Sequence, residues 1–134
     1  MSLLLGDTAP DFEAETTKGK INFHDWIGDD WVMFFSHPAD FTPVCTTEIG
    51  YTAKLKDKLA ARGAKAIVIS ADSLKDHVEW VKDVEETQGA KVDFPLIADP
   101  DKKIATLYNM IHPNADAKVT VRAVYVIDPK KKIR

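Results

Sequence analysis

Asp11 to Thr16 alternates polar and apolar positions around Phe12 and Ala14, and Lys20 to Phe23 alternates again around Ile21 and Phe23. Thr17-Lys18-Gly19 lies between the two runs, so they predict a small N-terminal β-hairpin. Trp31-Val32-Met33-Phe34-Phe35 has no polar interruption, the pattern of a strand covered on both faces. A helix is predicted from near Thr42 to about Arg62, with Gly63 as its stop. Ala64 to Ser70, centred on Ala66-Ile67-Val68-Ile69, predicts a second covered strand. Ser73 starts another helix and forms a weak capping box with Asp76; Leu74, Val78, Val81 and Val84 (or Glu85) would be its apolar face. Phe94-Pro95-Leu96-Ile97-Ala98 predicts a short strand whose proline belongs at a sheet edge or a strand end. Ile104, Leu107, Tyr108 and Ile111 mark a third helix. Val119 to Ile127 is the last strand, turned back by Asp128-Pro129-Lys130.

From Trp31 onward the elements alternate strand and helix, which predicts an α/β protein with helices layered on a sheet. At 134 residues the chain is expected to be one domain, 1–134, and no internal repeat or linker divides it. Lys132-Ile133-Arg134 reads as the start of a return strand, an unusual place for a domain to finish, so further C-terminal sequence is expected.

Charge and cysteine content narrow the function classes. The formal net charge of −3 argues against a general nucleic-acid or membrane-surface binder. Lys130-Lys131-Lys132 reads as a solvated turn. The first six residues, Met1 to Gly6, have no positive n-region and too short an apolar run for a signal peptide, and no stretch approaches transmembrane length. The chain has a single cysteine, Cys45, which excludes an internal disulfide and fits a reducing, cytoplasmic setting.

Cys45 is the candidate for chemistry. With Thr42 as N-cap, Pro43 is the first helical residue and Cys45 the third. An N-cap oxygen faces the first-turn amides, which brings the Thr42 hydroxyl close to the Cys45 sulfur. The unsatisfied amides and the helix dipole favour negative charge there, lowering the thiol pKa, and the thiolate is the nucleophile. The bland alternative is a small apolar core cysteine. No Cys-x-x-Cys is present, which excludes dithiol exchange of that type, and no Cys/His spacing fits a structural zinc. Arg122 stands within the otherwise apolar Val119–Ile127. A buried guanidinium needs a partner, which a thiolate and a polar substrate would supply. The alternative is a strand-end arginine facing solvent or paired with Glu48.

These residues resemble the peroxiredoxin family. Pro38-x-x-x-Thr42-x-x-Cys45 is that family's active-site pattern, and Arg122 stands where its late-strand arginine belongs. The longer string Ser36-His37-Pro38-Ala39-Asp40-Phe41-Thr42-Pro43-Val44-Cys45-Thr46-Thr47-Glu48 resembles the type-6, one-cysteine subfamily, as do Phe94–Asp99 and Asp76–Trp80. Typical two-cysteine members carry other residues at His37, Pro43 and Thr46. The resemblance runs from about Leu4 to Arg134. It implies a thioredoxin-like fold: a central mixed β-sheet flanked by helices, with the hairpin as an N-terminal extension. It implies peroxide reduction without a cofactor or metal, in which Cys45 attacks the O–O bond and becomes a sulfenic acid. Thr42, Arg122 and the first-turn amides would position the peroxide and stabilise developing charge, and Pro38 would shield the oxidised sulfur. Glu48, one turn after Cys45, would orient Arg122. His37 has two readings, a contact to the oxidised sulfur or a hydrogen-bonded structural histidine. The implied partners are a peroxide, a thiol reductant such as glutathione or thioredoxin, and a second copy in a homodimer; no nucleic acid or membrane is implied.

Two departures from the subfamily matter. Some type-6 members carry a phospholipase activity attributed to Gly-x-Ser-x-Gly with a preceding histidine. Here His24 is in place, but the motif reads Gly28-Asp29-Asp30-Trp31-Val32 and the acidic residue of the last hairpin is displaced to Asp128. Without the serine hydroxyl, acyl-enzyme chemistry of that kind is not expected. Family members also continue past Arg134 through the return strand, a helix and an arm. In two-cysteine members the resolving cysteine lies there, so the one-cysteine assignment rests on the subfamily string. The competing functions are a redox-signalling module that hands its sulfenic acid to a partner, and an inactive truncated fragment.

Overall fold

A computed structural model of the chain describes residues 5–36, 43–70, 73–89, 91–92, 94–108 and 124–134; for residues 43–48 and 56 it describes the backbone alone. The elements are β1 (Glu13–Thr16), β2 (Gly19–Asn22), α1 (Phe23–Ile27), β3 (Trp31–Ser36), α2 (Pro43–Lys54), α3 (Lys56–Ala61), β4 (Ala64–Ser70), α4 (Leu74–Gln88), β5 (Leu96–Ala98), α5 (Lys103–Leu107) and β6 (Val124–Ile127). The six strands form one sheet in the order β2-β1-β5-β4-β3-β6. β3, β4 and β5 are parallel, with β6 antiparallel to β3 and β1 antiparallel to β5. The expected α/β architecture is therefore present: a mixed sheet with the N-terminal hairpin added at one side.

The continuous apolar run of β3 has a direct explanation. Phe34 and Phe35 point to opposite faces, as neighbours on a strand must, and both faces are covered. Phe34 joins Phe23, Ile67, Ile69 and Tyr108 in one core; Phe35 joins Ile49, Val68, Trp80 and Val84 in the other. In the first core the rings of Phe12 and Phe23 stack at 4.5 Å, and Tyr108 meets Phe34 edge-on at 4.9 Å.

The hairpin pairs Ala14 with Ile21 as the alternation requires. Its turn is closed by the Thr16 hydroxyl, which donates to the Gly19 carbonyl at 2.6 Å and accepts from the Lys18 N–H at 3.0 Å. Gly19 sits at φ 100, a conformation that costs glycine little. Beyond it the structure departs from the sequence reading, because Phe23 opens α1 instead of ending a strand. The Asn22 side chain caps that helix by accepting from the Asp25 N–H at 3.3 Å, and Gly28 ends it.

Two further expectations are corrected, one is resolved between its two alternatives, and one lies mostly outside the described residues. The helix expected from Thr42 to Arg62 divides at Leu55, whose N–H is shared between the carbonyls of Tyr51 and Thr52, both at 3.1 Å. The buried face of α4 is His77, Trp80 and Val84, while Val78 is 39% exposed. Burial of His77 costs little because its Nε2 is hydrogen-bonded to the Ile97 carbonyl at 2.9 Å. β5 lies inside the sheet, so Pro95 belongs to the strand-end alternative, immediately before Leu96. The last strand is described from Val124 only. Its pattern there is one-sided: Ile127 is buried, whereas Val124 and Val126 are exposed. Residues 119–123 and Ile111 lie outside the described residues.

After β6 the chain turns at Asp128 and runs back beside it. Ile133 bridges Ile127, and the Arg134 N–H donates to the Val126 carbonyl at 2.8 Å. On its other side this return segment binds the N-terminal strap: the Gly6 N–H donates to Ile133 at 2.7 Å, Ile133 to Asp7 at 2.9 Å and Ala9 to Lys131 at 2.7 Å. The turn is organised by Asp128. Its Oδ1 accepts from the N–H groups of Lys130 (2.9 Å) and Lys132 (2.8 Å), and its Oδ2 from Arg134 Nε at 2.8 Å. The Lys132 N–H, then the Arg134 guanidinium and the Lys130 N–H, hold this carboxyl below its ordinary 3.8. A depressed native value means stabilisation that is present above 3.8 and lost as pH falls through the native value. Acidification below pH 3.8, or Asp128→Ala at neutral pH, should therefore strip hydrogen-exchange protection from the Ile133 and Arg134 amides before those of β3 and β4. Unchanged protection at those two amides in the Asp128→Ala protein would contradict this account.

Candidate active site

The carboxyl ends of β3, β4 and β5 lie side by side, with Ser36 opposite Ile69 and Ser70 opposite Ala98. Open α/β sheets bind ligands at that end of their strands. α2 begins there, at Pro43, and Cys45 is its third residue. Proline at the first helical position costs no hydrogen bond, since that N–H would have no partner within the helix. The first-turn amides around Cys45 are the ones a helix leaves unsatisfied, which favours a thiolate.

Packing behind the first turn holds α2 in place. Ile49 and Ala53, one and two turns after Cys45, are buried in the core of Phe35, Trp80 and Val84. Gly50 lets α2 approach α4 closely: a Cβ there would meet Gln88 Cγ at 2.5 Å. The helix is thus held by apolar contacts made one and two turns beyond Cys45.

Beside Ser36, the same region carries buried polar groups to which the sequence reading gave no role: Ser70, Asp99 and, on α4, His77. His77 Nε2 lies 3.5 Å from Ser70 Oγ as well as 2.9 Å from the Ile97 carbonyl, so α4 is tied to the ends of β4 and β5. The Ser70 carbonyl accepts from the Asp99 N–H at 3.1 Å. Asp99 in turn caps α5, accepting from the N–H groups of Ile104 (3.2 Å) and Ala105 (2.9 Å). Burial pushes the Asp99 carboxyl up and the two amides pull it down; burial, helped by Asp101, prevails. The available signal was the acid-rich Asp99-Pro100-Asp101 directly before an apolar helix, a pattern that caps helices.

Of the residues singled out from the sequence, the structure places Cys45 and Glu48 one turn apart on α2. Their side chains lie outside the described residues, as do Pro38, His37, Thr42 and Arg122 altogether. His24, the histidine of the hydrolase-like remnant, is held by the N-terminal strap. Its Nε2 is 2.7 Å from the Ala9 carbonyl and its N–H donates to Asp11 Oδ1 at 2.8 Å. Burial would raise the Asp11 carboxyl, but hydrogen bonds from the His24 and Phe12 amides and the nearby His24 ring leave it lowered. Asp30, at the position of the missing serine, pairs with Lys65 at 3.4 Å. Among the described residues no cluster of His, Cys, Asp and Glu has the geometry of a metal site.

Comparison with known proteins agrees with this arrangement. The sequence profile of the AhpC/TSA family matches residues 5–134. The chain is 53% identical over 132 residues to a 1-Cys peroxiredoxin of Dictyostelium discoideum, covering 98% of this chain and 55% of that protein. Its fold superimposes on a cysteine-to-serine mutant of the peroxiredoxin 6 of Arenicola marina with a TM-score of 0.93 at 41% identity, over 99% of this chain and 63% of that one. It superimposes equally on a yeast mitochondrial 1-Cys peroxiredoxin, with a TM-score of 0.92 at 47% identity, over 98% of this chain and 65% of that one. The chain thus spans a little over half the length of the curated relatives it matches. The sheet, the helix that opens two residues before Cys45 and these matches lead to one assignment: the chain belongs to the AhpC/TSA family, has the thioredoxin-like fold of the peroxiredoxins, and resembles their one-cysteine members.

Proposed function

We propose that this chain is the catalytic part of a thiol-dependent peroxidase that reduces hydrogen peroxide and organic hydroperoxides, in antioxidant defence and cell redox homeostasis. The observation that carries the reading is the position of Cys45 in the first turn of α2, at the carboxyl end of the sheet, within the unbroken Pro38–Glu48 string. The Cys45 thiolate attacks one peroxide oxygen and the O–O bond breaks. The sulfur is oxidised to sulfenic acid, and the departing oxygen takes up a proton and leaves as water or alcohol. Thr42, Arg122 and the α2 amides orient the peroxide and balance the charge that develops on its oxygens. Pro38 shields the sulfenic acid, Glu48 orients Arg122, and His37 borders the site. No bound cofactor is needed, because electrons return from an external thiol. Glutathione and thioredoxin are the reductants proposed; the related yeast protein's structure concerns thiol resolution via glutathione/thioredoxin systems. We place the protein in the cytoplasm as a homodimer. We expect no serine-dependent lipid hydrolysis, because Asp30 stands at the position of the required serine and is paired with Lys65.

The test is stopped-flow oxidation of the reduced protein by peroxide, with mass analysis of Cys45. The expected product gains one oxygen at Cys45 and forms no disulfide-linked dimer. Oxidation no faster than that of free cysteine would leave the inactive-fragment reading standing. Fast oxidation that no thiol reductant can reverse would favour the signalling module.

A further inference from the structure

His77 is a fully buried titratable side chain that the proposed chemistry does not use. It stands in the first turn of α4, where its N–H donates to the Ser73 carbonyl at 3.0 Å. Its ring reaches across to the sheet: Nε2 lies 2.9 Å from the Ile97 carbonyl and 3.5 Å from Ser70 Oγ. A carbonyl only accepts, so Nε2 carries a ring proton and donates it to Ile97. A leucine at this position would fill a similar space and take that donor away from a buried carbonyl.

The same face of α4 leads toward Cys45. Trp80, one turn after His77, is fully buried in the core that holds Ile49 of α2 and Phe35 of β3. Ile49 is one turn after Cys45, and Phe35 directly precedes Ser36, where β3 ends. Farther along, Gln88 of α4 closes on Gly50 of α2. α2 thus rests on α4 through apolar contacts, which are non-directional and allow one helix to slide on the other. The His77 bond is directional and fixes where along the sheet α4 begins.

We infer that His77 is a positioning residue for Cys45: by tying the first turn of α4 to Ile97 it sets, through Trp80 and Ile49, the placement of α2 and of the sulfur that its first turn carries. The inference rests on the peroxidase reading of Cys45. A misplacement of about 1 Å can cost about a hundredfold in rate, so a bond remote from the sulfur reaches the chemistry.

The test compares His77→Leu, His77→Asn and His77→Gln with the wild-type protein, by stopped-flow oxidation of Cys45 with hydrogen peroxide and by its alkylation with iodoacetamide at neutral pH. A glutamine amide reaches the place of Nε2, whereas an asparagine amide stops near that of Nδ1. His77→Leu and His77→Asn should oxidise at least about tenfold more slowly, and His77→Gln within about threefold of wild type. Alkylation should slow at least about threefold in the first two and recover in His77→Gln, because the field that favours the thiolate depends on the same placement. Ile27→Ala empties a site in the core on the other face of the sheet, so it should lose stability and still oxidise at the wild-type rate. Wild-type rates in His77→Leu and His77→Asn overturn the inference, as does failure of His77→Gln to recover or equal slowing in Ile27→Ala. If His77→Leu does not fold, the asparagine and glutamine variants decide. If the wild-type protein oxidises no faster than free cysteine, the peroxidase reading falls and the alkylation rates alone judge His77.

Discussion

Cys45→Ser is expected to reduce peroxide consumption to the background of the uncatalysed reaction, a loss of more than about a thousandfold. A serine hydroxyl at that position is not ionised at neutral pH. The favourable field of the first turn of α2 then has no anion to stabilise, and no nucleophile attacks the O–O bond. The replacement is nearly isosteric, and Ile49 and Ala53 hold the helix from behind, so the thermal midpoint should stay close to that of the parent protein. Arg122→Ala grades the effect. Losing one group that stabilises developing charge should slow Cys45 oxidation by about a hundredfold to a thousandfold. A near-normal rate in Arg122→Ala would return that residue to the solvent-facing or Glu48-paired alternative. Retained peroxidase turnover in Cys45→Ser would remove the proposed function altogether.

The second large effect concerns stability. Trp80 is fully buried on α4 among Ile49, Phe35 and Val84. Trp80→Ala should cost about 3–5 kcal/mol, the range for emptying a large aromatic site. A domain of ordinary stability has about 5–15 kcal/mol in total, so the variant should melt ten or more degrees lower and sit near the limit of folding. Val78→Ala is the internal control. Val78 lies on the flank of the same helix, 39% exposed, and its truncation should change stability by less than about 0.5 kcal/mol. Chemical denaturation of both variants decides the matter. Equal losses would mean that Val78 lies on the packed face after all.

That comparison shows where sequence patterns stop being informative. Counting apolar residues selected Val78 and passed over His77, because a histidine scores as polar wherever it stands. The structure buries His77 by giving its Nε2 the Ile97 carbonyl, a partner no local pattern contains. α1 was hidden for a similar reason. Phe23 completes the alternation of β2, and a five-residue helix is too short to show its own period, although Asn22 and Gly28 bracket it with cap residues. The break at Leu55 has no glycine or proline to announce it. What the sequence did make plain are the features in which pattern and packing coincide: the covered strands β3 and β4, the Ser73 cap of α4 and the proline that opens α2. The Pro38–Glu48 string stood out as a candidate site because its residues are contiguous. The supporting shelf of Ser70, His77 and Asp99 did not, because a strand, a helix and the connection after β5 supply it.

The pairing of Gly6, Thr8 and Ala9 with residues 131–133 sets an order on events in the cell. Thr8 and Lys132 are 124 positions apart. The N-terminal strap leaves the ribosome well before its partner and has nothing to dock on until the return segment has been made and has emerged. β3 and β4, by contrast, need only the span between Trp31 and Ser70 to find each other. Closure of the strap therefore comes after the pairing of β3 and β4, and Thr8 waits for a partner 124 positions further along the chain.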